Sequence, residues 1–225
     1  MIENPNTILI TNEYYPSGLT EGKVHTYYQE NKKKILDQTK NRNIMLFLQT
    51  DNGLIVKRKS SDPNHLLTIN SDNYDKLIHG RVISIHSNMK SAEDFGIIDI
   101  DCDDFDRAKI VTGHIYDYIR NSFPKLTIRF TGKTSFHIIC PSIGGKVKHI
   151  EDIKTNLNHI LISTPFKDEY TVSYKRTTGI PNLDLAPNKF LGGFITLHSL
   201  SIIGLKCMEV SRKDLNGFNP NQAKI

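Results

Sequence analysis

The chain has 225 residues, of which 38% are hydrophobic, and it carries a formal net charge of +5. This length supports a core of its own and favours a single domain. No stretch approaches the roughly 18 uninterrupted apolar residues of a membrane span, and the first residues do not resemble a signal peptide. We therefore expect a cytoplasmic protein without a membrane partner. The positive charge favours a polyanionic partner, which extends the expectation to a nucleoid-associated location.

The three cysteines, Cys102, Cys140 and Cys207, are odd in number and far apart in sequence. They include no C-x-x-C pair, so the pattern indicates neither a disulfide framework nor a zinc site. We predict reduced thiols in the core and no zinc.

The N-terminal third predicts an α/β unit over residues 1–75. Thr20 is a suitable N-cap, and Val24, Tyr28 and Ile35 recur at helical spacing, which predicts one helix over about 21–38. Apolar runs at 44–49 and 53–56 predict two strands, and a polar stretch predicts a loop after them. Residues 74–86 predict a short helix followed by a strand.

The remainder, residues 76–225, alternates strands and helices in a recognisable order. FGIIDID predicts a buried strand, and Ala108, Val111, Ile115 and Ile119 form one helical stripe after it. LTIRF and FHIIC, joined by TGKTS, predict an antiparallel hairpin. A helix around HIEDIKTNLNHILI and strands in FITLH and LKCMEV follow. The order predicts an α+β fold: an RRM-like (ferredoxin-like) palm packed on the N-terminal unit, with antiparallel-rich mixed sheets, in one domain over 1–225.

Two carboxylates, Asp99 and Asp101, are the strongest candidates for site residues. Because side chains alternate along a strand, both project from the same face, about 7 Å apart. Ionised carboxylates on a mostly buried strand need partners or a metal. Oxygen ligands suit Mg²⁺ or Mn²⁺, and a pair of such ions can serve phosphoryl chemistry.

The same acidic run allows two other interpretations. Asp103, Asp104 and Asp106 fit the capping of the following helix, where carboxylates favour the positive end of the helix dipole. An EF-hand calcium loop fails at its sixth position, Asp104 instead of Gly, and at its twelfth, Ile110 instead of Glu.

Two further segments supply groups of the same chemistry. In FTGKTSFHII, Ser135 and His137 share a strand face and Lys133 lies in the adjoining turn, so the three can donate to a polyphosphate. In IPNLDLAPNKF, Asp184 is a third carboxylate. Alone, Asp184 also fits an ordinary loop and His137 also fits a structural role.

Taken in order, IIDID, TGKTSFH and NLD resemble the three motifs of the archaeo-eukaryotic primase superfamily: hydrophobic-D-h-D, S-x-H and hydrophobic-D. ITNEYYPSGLTEGKVHTYY, ISIH and the interval from Asp184 to Ser199 resemble the polymerase domain of bacterial and archaeal end-joining DNA ligases. FTGKTSFH and TLHSLSIIGL are also similar to the archaeal primase small subunit. That subunit typically carries a zinc-ligating cysteine cluster, which this sequence lacks.

The resemblance implies a template-dependent nucleotidyl transferase that adds nucleotides to a 3′ hydroxyl, in priming or in gap filling during repair and end joining. It implies two Mg²⁺ or Mn²⁺ ions on Asp99, Asp101 and Asp184. It implies DNA and nucleoside triphosphates as ligands, with a ligase or a primase large subunit as partner. The implied nucleotide contacts are Lys133, Ser135, His137, His86, Lys189, His198 and Ser199.

The resemblance departs at two positions. The end-joining family has a helix-start Lys, which grips a downstream 5′ phosphate, where this chain has Glu21; the family's Arg after P-Y-S falls near Ser201. Lys23, Lys32 and Lys33 are the candidates for DNA or 5′-phosphate contacts in place of the first.

Two other functional classes stay open from the sequence. One is a catalytically silent nucleic-acid-binding module, although such modules usually present aromatic residues on their strands. The other is a metallonuclease, because acidic clusters also cleave phosphodiesters.

Overall fold

The computed structural model describes residues 4–60, 62, 65–89, 95–123, 125–141, 150–172, 180–188 and 192–225. It separates into two compact units. Unit 1 consists of Met1–Asn88, Gly193–Cys207 and Asn219–Ile225, and unit 2 consists of Met89–Gly192 and Met208–Phe218. The boundary therefore lies after Asn88 and not after residue 75, because the strand at Val82–Asn88 pairs with the strand at Ile44–Thr50 and belongs to the same sheet.

The described part of the chain contains twelve strands and five α-helices, which are, in chain order, β1 (Ile8–Ile10), β2 (Leu19–Thr20), α1 (Glu21–Glu30), α2 (Lys32–Thr39), β3 (Ile44–Thr50), β4 (Gly53–Lys57), α3 (Tyr74–Leu77), β5 (Val82–Asn88), β6 (Gly96–Asp101), α4 (Phe105–Ile119), β7 (Thr127–Phe130), β8 (Phe136–Cys140), α5 (Ile150–Ile162), β9 (Thr171–Val172), β10 (Asn182–Asp184), β11 (Gly193–Ile195) and β12 (Met208–Val210). This mixture of helices and mostly antiparallel sheets is the α+β class that the sequence predicts.

Unit 1 contains a four-stranded sheet of order β11-β5-β3-β4 and the short pair β1-β2. The N-terminal helix begins where predicted, with the Thr20 side chain accepting a hydrogen bond from the backbone N–H of Lys23. The single helix predicted over 21–38 is instead two helices that meet at Asn31. The Asn31 backbone, with φ −99° and ψ 8°, departs from helical geometry, and its side-chain amide and backbone N–H both donate to the Tyr27 carbonyl, at 2.9 and 3.1 Å.

Unit 2 contains a six-stranded sheet of order β12-β7-β8-β6-β10-β9. Strands β6, β7, β8 and β10, with α4 and α5 between them, follow the split βαβ order that the sequence predicts. The fourth strand of that order is β10, a three-residue strand that the sequence pattern does not predict. FITLH supplies β11, which pairs with β5 in unit 1.

One face of the unit 2 sheet is apolar and packs against α4. Ile98, Ile100 and Ile138 are fully buried. Phe105, at the start of α4, stacks on Phe136 with ring centroids 5.6 Å apart. The helical layer therefore lies on the face to which these isoleucines point, and the residues that alternate with them point to the opposite face.

The three cysteines are free and buried, as predicted. Burial raises the pKa of the Cys140 thiol to about 12, which keeps it protonated at neutral pH and removes it as a nucleophile. Within the described ranges, none of the helices has the length and apolar character needed to cross a membrane.

Candidate nucleotide and metal site

A row of five polar side chains crosses the unit 2 sheet from one strand to the next. The register pairs Glu209 with Arg129, Arg129 with His137, His137 with Asp99, and Asp99 with Asp184. Directly opposed residues of antiparallel strands point to the same face, so all five side chains share the face away from α4. The sheet thereby brings together the first carboxylate, the histidine and the third carboxylate of the sequence prediction.

The centre of this row is the pair Asp99 and His137. His137 Nε2 lies 3.3 Å from Asp99 Oδ1, and the side chains are 5% and 21% exposed respectively. Despite this proximity, the geometry does not make a hydrogen bond: Asp99 Oδ1 and His137 Nδ1 are both buried atoms without one. A buried carboxylate oxygen or imidazole nitrogen without a hydrogen bond lowers the stability of the fold. Such atoms mark positions where a bound ligand can supply the missing bond.

The second carboxylate, Asp101, lies two residues further along the same strand. Its Oδ1 accepts a hydrogen bond of 2.6 Å from the Ser135 hydroxyl. Ser135 ends the link between β7 and β8, where Thr131 N–H donates to the Ser135 carbonyl at 3.1 Å. Gly132 in this turn has a φ of 83°, a left-handed conformation that favours glycine. The turn leaves Lys133 exposed beside the two strands.

The third carboxylate, Asp184, is the last residue of β10, directly opposite Asp99. Its Oδ1 accepts a hydrogen bond of 2.7 Å from the backbone N–H of Ala186, so the side chain caps the turn by which the chain leaves the sheet. Asp184 thus occupies a strand end, where one oxygen is engaged locally and the carboxylate is half-buried.

The three carboxylates suit a hard divalent cation in their chemistry. They are oxygen donors on adjacent strands, and the unbonded Asp99 Oδ1 is the atom that gains most from a cation. Over the residues that the structure describes, however, no three His, Cys, Asp or Glu side chains are already gathered around one point as metal ligands. The backbone positions converge, whereas the Asp101 and Asp184 side chains are each turned toward a neighbour.

Arg129 was missed by the sequence reasoning. It is 8% exposed and lies in the row between His137 and Glu209, with its Nε 3.8 Å from Glu209 Oε1. Its guanidinium also lies 6.0 Å from the centre of the Phe95 ring. A signal did exist: once LTIRF and FHIIC are paired around the turn, counting from the turn places Arg129 opposite His137. A buried cation in this row offsets part of the carboxylate charge.

The other predicted nucleotide contacts that are described, His86, His198 and Ser199, lie in unit 1. Ser199 is fully buried, and its hydroxyl accepts from the Ile85 N–H at 2.6 Å and donates to the Leu200 carbonyl at 3.0 Å. The His86 ring packs against the Phe47 ring at 4.5 Å. Lys189 lies outside the described residues.

His198 has an unusual backbone conformation, with a φ of 68°. Non-glycine residues seldom adopt this conformation, and it persists only where the surroundings hold it. Here the His198 N–H donates to the Cys207 carbonyl at 2.9 Å, and its own carbonyl accepts from the Tyr27 hydroxyl at 2.8 Å. These bonds hold the strained residue in place.

The lysines predicted to contact DNA belong to α1 and α2 of unit 1. Lys23 and Lys33 are exposed. Lys32 is engaged locally, with its Nζ 2.7 Å from Asp75 Oδ2. Glu21, which stands where the end-joining family has a lysine, is 1% exposed and lies 3.5 Å from the Arg81 Nε. The start of α1 therefore carries a buried carboxylate.

No protein-family model and no curated protein matches the chain. Among solved structures, the polymerase domain of ligase D from Mycobacterium tuberculosis, determined in complex with DNA, is similar with a TM-score of 0.75. The two sequences are 13% identical, and the match covers 98% of this chain and 88% of that one. The fold is that of a polymerase domain. This confirms the structural relation to end-joining ligase polymerase domains that the sequence motifs predict.

Proposed function

We propose that the chain is a template-dependent nucleotidyl transferase of the primase-polymerase type, which adds nucleotides to a 3′ hydroxyl in priming or in gap filling during DNA repair. One observation carries the proposal: Asp99, Asp184 and His137 meet in a single cross-strand row, with Asp101 and Ser135 hydrogen-bonded beside it. The shared fold with a DNA-bound polymerase domain supports it.

In this proposal, Asp99, Asp101 and Asp184 hold two Mg²⁺ or Mn²⁺ ions. When bound, such ions polarise phosphoryl oxygens and lower the pKa of an attacking hydroxyl. To hold such ions, Asp101 and Asp184 would each give up a local hydrogen bond, from Ser135 and from the Ala186 N–H respectively. Asp99 contributes an oxygen that has no hydrogen bond to lose.

The phosphate-binding side of the proposed site belongs to the β7–β8 hairpin. His137 Nδ1 makes no hydrogen bond, and the Ser135 hydroxyl would be free to bind a polyphosphate if Asp101 held a cation. Lys133, exposed at the turn, can offset negative charge on the departing pyrophosphate. No covalent intermediate is required, because the 3′ hydroxyl attacks the α-phosphorus directly.

The DNA would be held by the charge of the chain as a whole, which is +5. The polymerase domain of the mycobacterial ligase binds DNA, which supports the same ligand here. A ligase or a primase large subunit is the proposed protein partner, and a nucleoid-associated location in the cytoplasm follows from the DNA ligand.

The test offers the protein three labelled substrates side by side: primed template, unprimed template, and gapped duplex with or without a 5′ phosphate. Each is incubated with deoxynucleotides or ribonucleotides and with Mg²⁺, Mn²⁺ or EDTA. We expect templated extension of the primed strand with either metal and none with EDTA. Product on unprimed template identifies priming. Faster extension on the gapped duplex that carries a 5′ phosphate identifies end joining.

The remaining outcomes separate the other two classes. Retention of DNA without extension under every metal would establish a silent binding module. Metal-dependent shortening of the labelled strand without extension would establish a nuclease. Either result overturns the proposed polymerase.

A further inference from the structure

Strand β10 ends before β6 does, so one residue at this edge of β6 lacks a backbone hydrogen-bond partner from β10. The two strands pair from Asn182 to Asp184, with Asp184 opposite Asp99. The chain then turns away, since the Ala186 N–H bonds to the Asp184 side chain and Pro187, which has no N–H, follows. Ile97, the next residue of β6 facing this edge, therefore has no backbone partner from β10.

The side chain of Asn188 fills that place. The Ile97 N–H donates to Asn188 Oδ1 at 2.7 Å, and Asn188 Nδ2 donates to the Ile97 carbonyl at 2.5 Å. A carboxamide has one acceptor and one donor side by side, as a peptide group does, so it replaces the missing strand residue. Asn188 is fully buried.

The same side chain closes the turn that begins at Asp184. Asn188 Nδ2 also reaches the Leu185 carbonyl at 3.3 Å, and the Asn188 N–H donates to that carbonyl at 3.1 Å. The segment from Asp184 to Asn188 is thus tied at its beginning by the Asp99 pairing and at its end by Ile97, two residues before Asp99. Both attachment points lie on the strand that carries Asp99 and Asp101.

We propose that Asn188 is a positioning residue that fixes the separation of the Asp184 and Asp99 carboxylates and thereby sets the affinity for divalent cations. This inference rests on the proposed function, in which these carboxylates are metal ligands. Asn188 itself touches neither metal nor substrate. Without its amide, the Asp184 turn is held to β6 on one side only, and the carboxylate loses its defined distance from Asp99.

Position 188 requires a side chain that carries both a donor and an acceptor for the two Ile97 backbone groups. Aspartate has the same shape but no donor, and it would place a carboxylate against the buried Ile97 carbonyl. Leucine has a similar volume and bonds to neither Ile97 group, which leaves two buried backbone groups unpaired. Glutamine carries the same amide on a side chain longer by one methylene, so it can restore the bonds only if the turn shifts.

The experiment measures Mn²⁺ binding by electron paramagnetic resonance, without DNA or nucleotide, for the wild type, Asn188→Leu, Asn188→Ser and Asn188→Gln. Thermal melting is recorded for each. Leu157→Ala is the matched control, because Leu157 is fully buried in α5 of the same unit, so the substitution lowers stability while the Asn188 side chain keeps its hydrogen-bonding groups for Ile97. Primer extension against Mn²⁺ concentration is measured in parallel.

We expect Asn188→Leu and Asn188→Ser to weaken Mn²⁺ binding by about 10- to 100-fold, the usual effect of removing a group that orients metal ligands. Asn188→Gln should recover part of the loss. Leu157→Ala should melt at a lower temperature and bind Mn²⁺ as the wild type does. In extension assays, the Asn188 variants should require more Mn²⁺ and approach wild-type rates when it is saturating.

Mn²⁺ affinity within twofold of wild type in folded Asn188→Leu or Asn188→Ser would overturn the inference, as would an equal loss of affinity in Leu157→Ala. If Asn188→Leu does not fold, Asn188→Ser decides. A wild type that binds no Mn²⁺ would overturn both this inference and the proposed function. If the wild type binds Mn²⁺ but extends no primer, only the proposed function fails. The Mn²⁺ titrations then still test whether Asn188 positions the carboxylates.

Discussion

Both units bury polar side chains on a sheet, but several buried hydroxyls of unit 1 differ from Asp99 and His137 of unit 2 in whether they make hydrogen bonds. In unit 1, the Ser199 hydroxyl bonds to Ile85 and Leu200, and the Ser87 and Thr196 hydroxyls pair at 2.8 Å. In unit 2, Asp99 Oδ1 and His137 Nδ1 are just as buried, yet neither makes a hydrogen bond.

This difference separates groups that stabilise the fold from groups that await a ligand. A buried hydroxyl with its bonds made contributes to stability and has little left to offer a substrate. A buried carboxylate without a bond is destabilising until a cation reaches it. Unit 1 also has buried oxygens without a hydrogen bond. Ser84 Oγ is a neutral group, for which the cost is much smaller. Glu21 Oε2, at the start of α1, belongs to a carboxylate, but the cationic side chain of Arg81 already lies 3.5 Å from it.

The largest effect that tests the comparison is expected at Asp101. Asp101→Asn keeps the shape and removes a proposed metal ligand, so nucleotide incorporation should fall by about three orders of magnitude or more, with DNA binding nearly intact. Asp106→Asn is the matched control in the same acidic run, because Asp106 is exposed and pairs with Lys109 on α4. Equal rates for the two variants in single-turnover extension would refute the assignment.

A somewhat smaller effect is expected at His137. His137→Gln removes the imidazole that lies against Asp99 and is proposed to meet the polyphosphate, so kcat/KM for the nucleotide should fall by about 100-fold. The melting temperature should change little, since the His137 side chain makes no hydrogen bond through Nδ1 in the folded state. A large fall in melting temperature with unchanged kinetics would move His137 into the class of fold-stabilising groups.

Ser199→Ala tests the other class, the buried hydroxyls whose hydrogen bonds stabilise the fold. Removing the hydroxyl leaves the Ile85 N–H without its acceptor in the core of unit 1. The free energy of unfolding should fall by about 1–3 kcal/mol, as measured by urea denaturation. A rise in KM for the nucleotide, measured where the variant is fully folded, would show that the nucleotide contact implied by the family resemblance also operates.

The smallest expected effect concerns the surface of unit 1. The hydrogen bond from Lys32 holds the pKa of Asp75 below its ordinary value of 3.8. A carboxyl with a lowered pKa contributes stability above its unfolded pKa and loses it as the pH falls through its folded pKa. Lys32→Met should therefore raise the Asp75 pKa and reduce the acid-dependent loss of stability. NMR titration of the Asp75 carboxyl measures the shift, and Lys33→Met, which removes an exposed lysine of the same helix, should leave it unchanged.

Much of the fold followed from local patterns. The alternation in IIDID predicted a buried strand with both carboxylates on one face, and the stripe from Ala108 to Ile119 predicted α4. The sequence pattern does not predict the break at Asn31, because helical spacing continues across it while the Asn31 backbone, with φ −99° and ψ 8°, departs from helical geometry. β10 was not foreseen either, because three residues are too few for a periodicity to be seen.

The sequence by itself determined the face on which Asp99 and Asp101 lie and the hairpin that carries Ser135 and His137, because both depend on neighbours along the chain. Only the tertiary structure decided that Asp184 stands opposite Asp99, that Arg129 stands beside His137, and that Asn188 completes the edge of β6. It also decided that Ser199 is already bonded while His137 Nδ1 is not. Strand register and burial are set by residues distant in sequence, which the local pattern does not contain.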